Sequence, residues 1–391
     1  MAVLNKVYRF RMRPTVARGQ ALMRLAGARR YVWNWALARR REYYAEHGKT
    51  ITAAVLSAEL TALKQQPETA WLAEADSQAL QQTLKDLDQA FRDFFAKRAR
   101  FPRFKSRKRD TPRFRIPQRV KVVDGKVYVP KVGWIRIRQS QTVDLPTKSA
   151  TFRRDASGHW FVTLTAEFEM PDVAIPEPDP VKVVGIDLGL KDFAVLSDDS
   201  PPVHAPKFFR KAQRKLRKSQ RVLSRRKPGS NRYAKAKAKT AKIHQRIANQ
   251  RGDFLHKLTT NLVRDHDGLC IEDLSLKGLV RTKLAKSFAD ASMGEFRRQL
   301  EYKGLWNRKH LVVIGRFFPS TRLCRGCGAV NSALTLSDRQ WVCDCGMAHD
   351  RDCSASINIR DEGLRILAAG YAERLNDRGR PVRPTKVGKA G

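Results

Sequence analysis

The fold of the second half of the chain depends on the stretch Val184-Gly185-Ile186-Asp187-Leu188-Gly189, a short apolar run that reaches a carboxylate. The pattern predicts a buried strand with Asp187 at its end. A second apolar run, Leu269-Cys270-Ile271, predicts another strand and is followed by Glu272. A third acid, Asp352, begins a helical pattern further along. Acids brought together on neighbouring strands can hold two Mg²⁺ ions for phosphodiester hydrolysis.

The order of these elements after Val181 favours an RNase H-like fold. In that fold the first acid lies on the first strand, the second ends a later strand, and the third comes from a nearby helix. Asp273 and Asp350 compete for the same roles, and we favour Glu272 and Asp352 over them. Each acid taken alone is equally consistent with a structural role.

The charge of the chain is strongly unbalanced, with 78 Lys and Arg against 38 Asp and Glu and a net charge of +40. Such charge repels itself unless a polyanion is bound, so we expect a nucleic-acid partner and binding that weakens with salt. A membrane role is not favoured, because no 18-residue apolar run, amphipathic anchor or lipidation signal is present. Residues 1–6 do not resemble a signal peptide, so we expect a cytoplasmic, nucleoid-associated protein of a bacterium or archaeon.

Four of the six cysteines are spaced like the ligands of a structural zinc ion. They form the pairs Cys324-x-x-Cys327 and Cys343-x-Cys345. Four thiolates suffice for a tetrahedral site, although the second pair is tighter than usual and His349 is an alternative fourth ligand. Free reduced thiols are the other interpretation. Cys270 is typical of a buried strand residue, and Cys353 belongs to the following helix, so neither is assigned to the metal.

The first 170 residues combine helical and strand patterns. Apolar residues recur at helical spacing in three places and alternate in the segments around them. Asp124-Gly125 is a typical hairpin turn. The predicted elements are a strand at 6–13, helices from 16 onward, within 48–71 and at 76–96, and hairpins that turn at 124–125 and 155–158.

The second half begins with a segment rich in proline, residues 171–180, which is typical of a linker. A long basic helical segment follows and is broken at Pro228-Gly229. The remaining predicted elements are a strand pair at 181–196, a strand at 269–273, a helix at 292–308, a strand at 311–317 and a last helix from 352 to about 370.

Three groups of side chains are candidates for contacts with nucleic acid. The segment 207–251 carries 18 Lys and Arg with few acids, which indicates a phosphate-binding arm rather than a solvated face. In the basic stretch 94–109, aromatic residues are candidates to stack on bases, and core packing is an equal alternative. Glutamines on the helix from Asp76 can contact adenine in a major groove, although a solvated surface is the plainer interpretation. The candidates are Arg214, Arg217, Arg221, Arg225, Arg103, Lys105, Gln78 and Gln81.

Over nearly its whole length the sequence resembles the TnpB (OrfB) family of transposon-encoded proteins, relatives of the miniature type V CRISPR effectors. The amino-terminal resemblance rests on the stretches 8–14, 27–34, 80–95 and 101–105. The carboxyl-terminal resemblance rests on the stretches 185–189, 271–275 and 350–352, together with the two cysteine pairs.

The resemblance implies a transposon-encoded, RNA-guided DNA endonuclease with a RuvC site. Asp187, Glu272 and Asp352 would be its catalytic acids and would hold two Mg²⁺, and a Zn²⁺ would be structural. A transposon-derived guide RNA, bound by one protein chain, would pair with double-stranded target DNA beside a short adjacent motif. The alternatives are a non-cleaving RNA-guided DNA-binding protein and a transposase or transposase accessory factor.

The family also implies an α+β multidomain architecture, in which an RNase H-like domain with a zinc-ribbon insertion follows a wedge β-barrel that is interrupted by helices. The expected segments are the first wedge strand at 1–14, a helical recognition domain at 15–100, the rest of the wedge barrel at 101–170, a linker at 171–180, the RuvC nuclease domain at 181–323, a zinc-binding insertion for target nucleic acid at 324–348, the last RuvC segment at 349–370 and a flexible tail at 371–391.

One departure from the family pattern lies next to the third acid. Ser354 stands where the family usually has Asn, and the two alanines that normally follow are Ala355 and Ser356 here. A serine can still cap the helix, and Asp352 itself is retained.

Overall fold

The computed structural model describes residues 2–170, 175–279, 281–335 and 338–370. The chain forms two compact units, which divide after Met170. The division coincides with the start of the proline-rich segment, of which residues 171–174 lie outside the described residues. The tail at 371–391 also lies outside them. No helix in the described part of the chain is long and apolar enough to cross a membrane.

The first unit is built on a seven-stranded sheet with the strand order β2-β6-β7-β1-β5-β4-β3. Its first strand is central, and three helices are inserted between it and the second strand. The strands are β1 (Ala2–Arg13), β2 (Arg113–Ile116), β3 (Lys121–Val123), β4 (Lys126–Val129), β5 (Gly133–Arg138), β6 (Thr147–Arg154) and β7 (Trp160–Met170).

Alternation of side chains explains this sheet. Along β7, Trp160, Val162 and Leu164 are buried, while the residues between them are partly exposed. The β3–β4 turn has Asp124 at φ 47° and Gly125 at φ 67°, the positive angles that a tight two-residue hairpin needs. The second predicted hairpin joins β6 and β7, so both predicted hairpins are present.

The inserted helices are α1 (Val16–His47), α2 (Ala53–Leu63) and α3 (Ser77–Phe95). Each begins at a side chain that accepts a hydrogen bond from the first turn: Thr15, Thr52 and Asp76. Their apolar faces share one core with the buried face of the sheet. The three predicted helices are confirmed, with ends that differ by a few residues.

The second unit contains a five-stranded sheet with the order β10-β9-β8-β11-β12. β8, β11 and β12 are parallel, whereas β9 pairs antiparallel with both β8 and β10. The first four residues of β8 and of β11 are buried, as expected for strands covered on both faces. The strands are β8 (Val183–Asp187), β9 (Asp192–Leu196), β10 (Val203–His204), β11 (Gly268–Glu272) and β12 (His310–Ile314).

Helices cover the two faces of this sheet. Val184 and Ile271 point toward a core formed with α5 and α8, while Val183 and Cys270 point toward the face covered by α9. The helices of this unit are α4 (Phe208–Ser224), α5 (Asn231–Asp265), α6 (Leu276–Leu279), α7 (Ala285–Ala291), α8 (Met293–Trp306) and α9 (Arg351–Ala368). A short hairpin, β13 (Gln340–Val342) and β14 (Ala348–Asp350), precedes α9. The elements β10, α6 and α7 were not predicted from the sequence.

Two glycines allow α9 to lie unusually close to the sheet. A Cβ on Gly185 of β8 would lie 1.9 Å from the carbonyl oxygen of Ser356 and 2.5 Å from the nitrogen of Arg360. A Cβ on Gly363 of α9 would lie 2.1 Å from the sulfur of Cys270. The glycines therefore set the distance between α9 and the strands that carry the first two acids.

We expect Gly185→Ala to destabilise the second unit by about 3 kcal/mol, because the added methyl group meets backbone atoms that can move only with the whole helix. Gly252→Ala is a matched control within α5, where a Cβ meets nothing within 4 Å, and it should stabilise by up to about 1 kcal/mol. Urea unfolding of both variants measures the difference. Equal stability of the two variants would contradict the close packing of α9.

Candidate functional site

The first two acids lie side by side at the carboxyl edge of the second sheet. Ile186 and Ile271 are partners in the parallel register of β8 and β11, so the next residues, Asp187 and Glu272, end neighbouring strands. Adjacent strands are about 4.8 Å apart, which brings their carboxylates to the same edge. The sequence prediction that both acids end strands is confirmed.

The third acid comes from the first turn of α9. Asp350 is the N-cap of this helix, because its Oδ1 accepts a hydrogen bond from the Cys353 nitrogen at 3.0 Å. The expectation that Ser354 caps the helix is therefore wrong. With Asp350 occupied in this way, Asp352 is the acid that α9 presents to Asp187.

Asp273, the other competing acid, has partners of its own. Its carboxylate binds Arg297 at 3.0 Å and Arg316 at 2.6 Å. Two guanidinium groups already neutralise it, whereas Glu272 has only the hydroxyl of Ser320 as a hydrogen-bond donor among the described side chains. The contacts therefore agree with the preference for Glu272.

The surroundings of Asp187 disfavour its charged form. Burial, followed by the charges of Glu272 and then Asp352, raises the pKa of Asp187 to about 7, and Arg351 acts in the opposite direction. An acid whose pKa is raised by burial and by neighbouring acids is characteristic of sites that bind cations or carry out catalysis. The three residues, separated by up to 165 positions in the sequence, are close enough to repel one another.

An arginine that sequence reasoning missed contacts the third acid. Arg339 Nη1 lies 3.2 Å from Oδ1 and 3.1 Å from Oδ2 of Asp352. The β13–β14 hairpin places it there, since Gln340 pairs with Asp350 and the Arg351 nitrogen donates to the Arg339 carbonyl at 2.8 Å. No local pattern connects Arg339 with Asp352, so only the hairpin register reveals the pair.

The four cysteines of the predicted zinc site come together. The sulfur atoms all lie within 4.8 Å of one another, with Cys324–Cys345 and Cys327–Cys343 both at 3.6 Å. Tetrahedral zinc with Zn–S bonds of about 2.3 Å needs sulfurs about 3.8 Å apart, so the cluster fits a zinc ion. Among the described residues it is the one group of three or more His, Cys, Asp or Glu side chains gathered so that it could hold a metal ion.

The surroundings of Cys324 favour its thiolate form. Hydrogen bonds from the backbone of Cys327 and Gly326 lower the pKa of Cys324 to about 5. The ionised form binds metal, so this sulfur is available at neutral pH without a further proton loss. Glycine at position 326 allows the close turn, with its nitrogen 3.4 Å from the Cys324 sulfur.

His349, the alternative zinc ligand, lies against the cluster but outside the four-sulfur group. Its Nε2 is 3.2 Å from the Cys324 sulfur, its Nδ1 is 3.2 Å from the Ser354 hydroxyl, and its ring stacks on Trp341 at 4.3 Å. The imidazole therefore connects the cysteine cluster to the first turn of α9. Ser354, the residue that departs from the family pattern, therefore contacts His349 through its hydroxyl.

The remaining two cysteines are separate from the cluster. Cys270 is completely buried beside Gly363, and burial raises its pKa to about 12, as expected for a structural strand residue. Cys353 lies in the first turn of α9 and does not belong to the sulfur group.

The basic segment forms an antiparallel pair of helices, α4 and α5, joined by residues 225–230. Leu216, Ile243 and Ile247 pack between them, and the hydroxyls of Ser219 and Thr240 lie 2.7 Å apart inside the pair. The four candidate arginines are exposed, and no carboxylate lies within salt-bridge distance of them in the described part of the chain: Arg214, Arg217, Arg221 and Arg225.

Of the four candidate nucleic-acid contacts in the first unit, three have partners within the protein. Arg103 pairs with Asp110 at 2.8 Å, and Lys105 lies over the Trp33 ring at 4.6 Å. Gln78 is directed toward Gln118 at 3.4 Å, whereas Gln81 is exposed and its side chain has no hydrogen bond among the described residues. Gln81 is thus the more accessible of the two glutamines.

Family models identify the class of protein. A model described as a probable transposase matches residues 164–283, a Cas12f1-like TNB domain matches 294–359, and a helix-turn-helix domain matches 1–49. The chain belongs to the TnpB (OrfB) family of RNA-guided DNA endonucleases. The resemblance seen in the sequence is confirmed.

Individual relatives agree with this assignment. A Streptomyces pristinaespiralis protein, named for RNA-guided DNA endonuclease activity, is 39% identical over 95% of this chain and 92% of its own length. InsQ of Escherichia coli K12, named for the same activity, is 36% identical over 98% of both chains. The fold resembles Cas12f1 in its complex with guide RNA and target DNA, with a TM-score of 0.54 at 11% identity, over 92% of this chain and 99% of that one.

Proposed function

We propose that the chain cuts double-stranded DNA at a RuvC site formed by Asp187, Glu272 and Asp352. The observation that carries the proposal is the position of Asp187 and Glu272 at the ends of neighbouring strands, where burial and then the charges of Glu272 and Asp352 raise the pKa of Asp187 to about 7. Divalent cations relieve such repulsion, and carboxylate oxygens are their preferred ligands. The strand order and the helix that supplies the third acid support the RNase H-like fold expected for this site.

The side chains have separate roles in this proposal. Asp187, Glu272 and Asp352 would hold two Mg²⁺, whose chemistry is to activate the attacking water and to stabilise the leaving oxygen. Ser320 orients Glu272 by donating a hydrogen bond to its Oε1. Arg339 holds Asp352 in the absence of cations, and if Asp352 bound a cation the guanidinium of Arg339 would be available to a phosphate of the substrate.

The cysteine cluster would hold one structural Zn²⁺ through Cys324, Cys327, Cys343 and Cys345. It would stabilise the segment 324–348, which brings Arg339 and the β13–β14 hairpin to α9. The zinc would thus influence the chemistry by positioning α9 and Arg339, and not as a ligand of the reacting groups. We also propose the domain boundaries expected from the sequence. The seven-stranded sheet would form the wedge barrel, and α1 to α3 would form the recognition domain.

The proposed partners are a transposon-derived guide RNA and target DNA beside a short adjacent motif. The net charge of +40 and the names of the relatives support nucleic-acid partners. Base pairing with the guide would supply sequence specificity, and protein side chains would recognise only the short motif.

The function is tested by purifying the protein together with its copurifying RNA and sequencing that RNA. A bound RNA of uniform length, and cutting of a plasmid with the matching sequence in Mg²⁺ but not in EDTA, are the expected results. A uniform RNA with no cutting at any adjacent motif would support the non-cleaving alternative. Absence of a uniform RNA would contradict RNA guidance.

The exposed arginines of α4 and the following turn should contact RNA phosphates. Replacing Arg214, Arg217, Arg221 and Arg225 together by Ala should weaken guide-RNA binding and reduce the slope of log affinity against log salt by about 3, since each lost phosphate contact removes about 0.7. Filter binding at several salt concentrations measures both effects.

A matched control removes four arginines that already have carboxylate partners within the protein. These are Arg98, Arg264, Arg298 and Arg365, whose ion pairs have N–O distances of 2.6–2.9 Å. Their substitution should leave the salt slope nearly unchanged. If both quadruple variants bind RNA with the wild-type slope, the arm is a solvated face.

Gln81 is the side chain on α3 that we expect to contact the adjacent motif. Its amide is exposed and can make paired hydrogen bonds to adenine in a major groove. Gln81→Ala should relax the preference at one motif position by about tenfold in a cleavage screen over a motif library. Gln89→Ala, on the same helix, is the control, because Gln89 already donates to Asp93 at 3.0 Å. An unchanged motif preference would remove Gln81 from the recognition surface.

A further inference from the structure

An aromatic groove of about 970 Å³ lies beside α1 in the first unit. Three large rings border it and remain exposed: Tyr31 at 37%, Trp71 at 43% and Phe104 at 43%. They come from α1, from the 3₁₀ turn Ala70–Glu74 and from the extended segment before β2. A concentration of exposed aromatic surface in one concave place is characteristic of a binding site.

The rings of the aromatic groove are held in place by the protein itself. Asn34 of α1 donates to the Lys105 carbonyl at 2.9 Å and accepts from the Lys105 nitrogen at 2.7 Å, which secures the segment that carries Phe104. The indole of Trp33 donates to the Arg103 carbonyl at 3.0 Å, on the other side of Phe104. Tyr31 meets Trp71 edge to face, with ring centroids 5.4 Å apart. A preorganised surface of this kind loses little conformational entropy when a ligand binds.

Cations surround the rings. Arg24, Arg30 and Lys131 line the groove, and none has a carboxylate within salt-bridge distance in the ranges that the structure describes. Lys131 lies in the β4–β5 turn at φ 65°, a left-handed conformation that is uncommon for a residue other than glycine. Strained positions of this kind are concentrated at binding sites, and this one brings an ammonium group to the groove.

One acid, Glu74, also lines the aromatic groove, and its carboxylate has no hydrogen bond or ion pair among the described residues. The Glu74 carboxylate repels phosphate groups but can accept a hydrogen bond from a hydroxyl group. Ribose carries a 2′-hydroxyl donor that deoxyribose lacks, so a carboxylate beside a sugar-binding position favours RNA over DNA.

We propose that the aromatic groove binds one unpaired nucleotide of an RNA strand. The base stacks on the rings of Trp71 and Phe104, the phosphates on either side contact Arg24, Arg30 and Lys131, and the 2′-hydroxyl donates to Glu74. Aromatic stacking combined with cationic contacts to the backbone is how proteins hold unpaired nucleotides. A base pair within a duplex has both faces covered by its neighbours, so it cannot occupy such a groove. The inference rests on the proposed function for the presence of an RNA partner, and not for cleavage.

The test uses the full-length protein, freed from copurifying nucleic acid at high salt. Fluorescent single-stranded RNA and DNA of one unstructured sequence, about 12 nucleotides long, are titrated against wild type and Trp71→Ala. The variant should bind the RNA at least about tenfold more weakly, since loss of one stacked base reduces affinity by roughly 5- to 150-fold.

Trp134→Ala is the matched control. Trp134 is 39% exposed in the same unit and lies beside Tyr128 outside the groove, with ring centroids 5.3 Å apart. It should bind RNA like wild type. Glu74→Gln should reduce the preference for RNA over DNA about fivefold.

The proposal is overturned by wild-type RNA affinity in Trp71→Ala, by an equal loss in Trp134→Ala, or by an unchanged preference for RNA over DNA in Glu74→Gln. Failure of the proposed function has a different signature. In that case the target DNA remains uncut or no guide RNA copurifies, while the affinity for the single-stranded RNA oligonucleotide still falls in Trp71→Ala.

Discussion

Asp187→Asn should reduce the rate of target-DNA cleavage by about a thousandfold or more while guide-RNA binding stays at the wild-type level. The change removes one negative ligand from the acid edge and keeps the shape of the side chain. A loss of about 4 kcal/mol of transition-state stabilisation corresponds to this factor, and metal ligands commonly contribute several kcal/mol. Single-turnover cleavage by the protein–RNA complex measures it.

Asp198→Asn is the control for this experiment. Asp198 follows β9 and binds His266 at 3.1 Å, away from the acid edge, so its amide variant should cut DNA normally. Glu272→Gln and Asp352→Asn should behave like Asp187→Asn. Retained cutting by Asp352→Asn, with loss in Asp350→Asn, would show that the third acid is Asp350.

The same Asp187→Asn variant should be more stable than wild type when divalent metal is removed. The folded-state pKa of Asp187, about 7, lies above its ordinary value of 3.8, so folding opposes ionisation of this group. The advantage of the Asn variant should therefore be small near pH 4, grow as pH rises toward 7 and stay constant above it. Thermal melts in EDTA across this range test the sign, and added Mg²⁺ should reduce the gap.

Cys343→Ser should abolish zinc binding and cleavage together. The expected content falls from about one zinc per chain to none, because three sulfurs cannot complete the tetrahedral site. Structural zinc contributes on the order of 10 kcal/mol in small zinc modules, so the segment 324–348 should lose its fold. Elemental analysis and limited proteolysis between residues 324 and 348 measure the two effects.

Two further variants make this test specific. Cys353→Ser changes a cysteine outside the sulfur group and should retain the zinc. His349→Ala should also retain the zinc and impair cleavage, since it breaks the contact between Cys324 and Ser354 but removes no sulfur. A loss of zinc in His349→Ala with none in Cys345→Ser would make His349 the fourth ligand.

Local patterns were enough for most elements of this protein. The apolar runs before Asp187 and Glu272 predicted strands, and the structure shows that these strands are parallel neighbours. The runs have no polar residues because both faces of the strands are covered. The cysteine spacing predicted a cluster, since residues two or three apart in a turn necessarily point to one place. The long helices α1 and α3 followed from their spacing of apolar residues, and α4 and α5 were predicted as a basic helical segment that is broken at Pro228-Gly229.

The sequence could not choose between adjacent acids or assign Ser354. Asp350 and Asp352 differ by two positions, and only the start of α9 makes the first a cap and leaves the second to face Asp187. Ser354 was expected to cap, but the helix begins earlier and its hydroxyl meets His349 instead. Helix ends are decided by competition among nearby polar groups, and this competition depends on tertiary contacts.

The sequence by itself determined the composition of the site: three acids, four cysteines and an excess of positive charge. Only the tertiary structure decided the arrangement. Gly185 and Gly363 let α9 approach the sheet, the β13–β14 hairpin brings Arg339 to Asp352, and three separate segments place the rings of the aromatic groove. The physical reason is that residue identity sets what a side chain can bind, while distances between remote residues come from close packing of backbone against backbone.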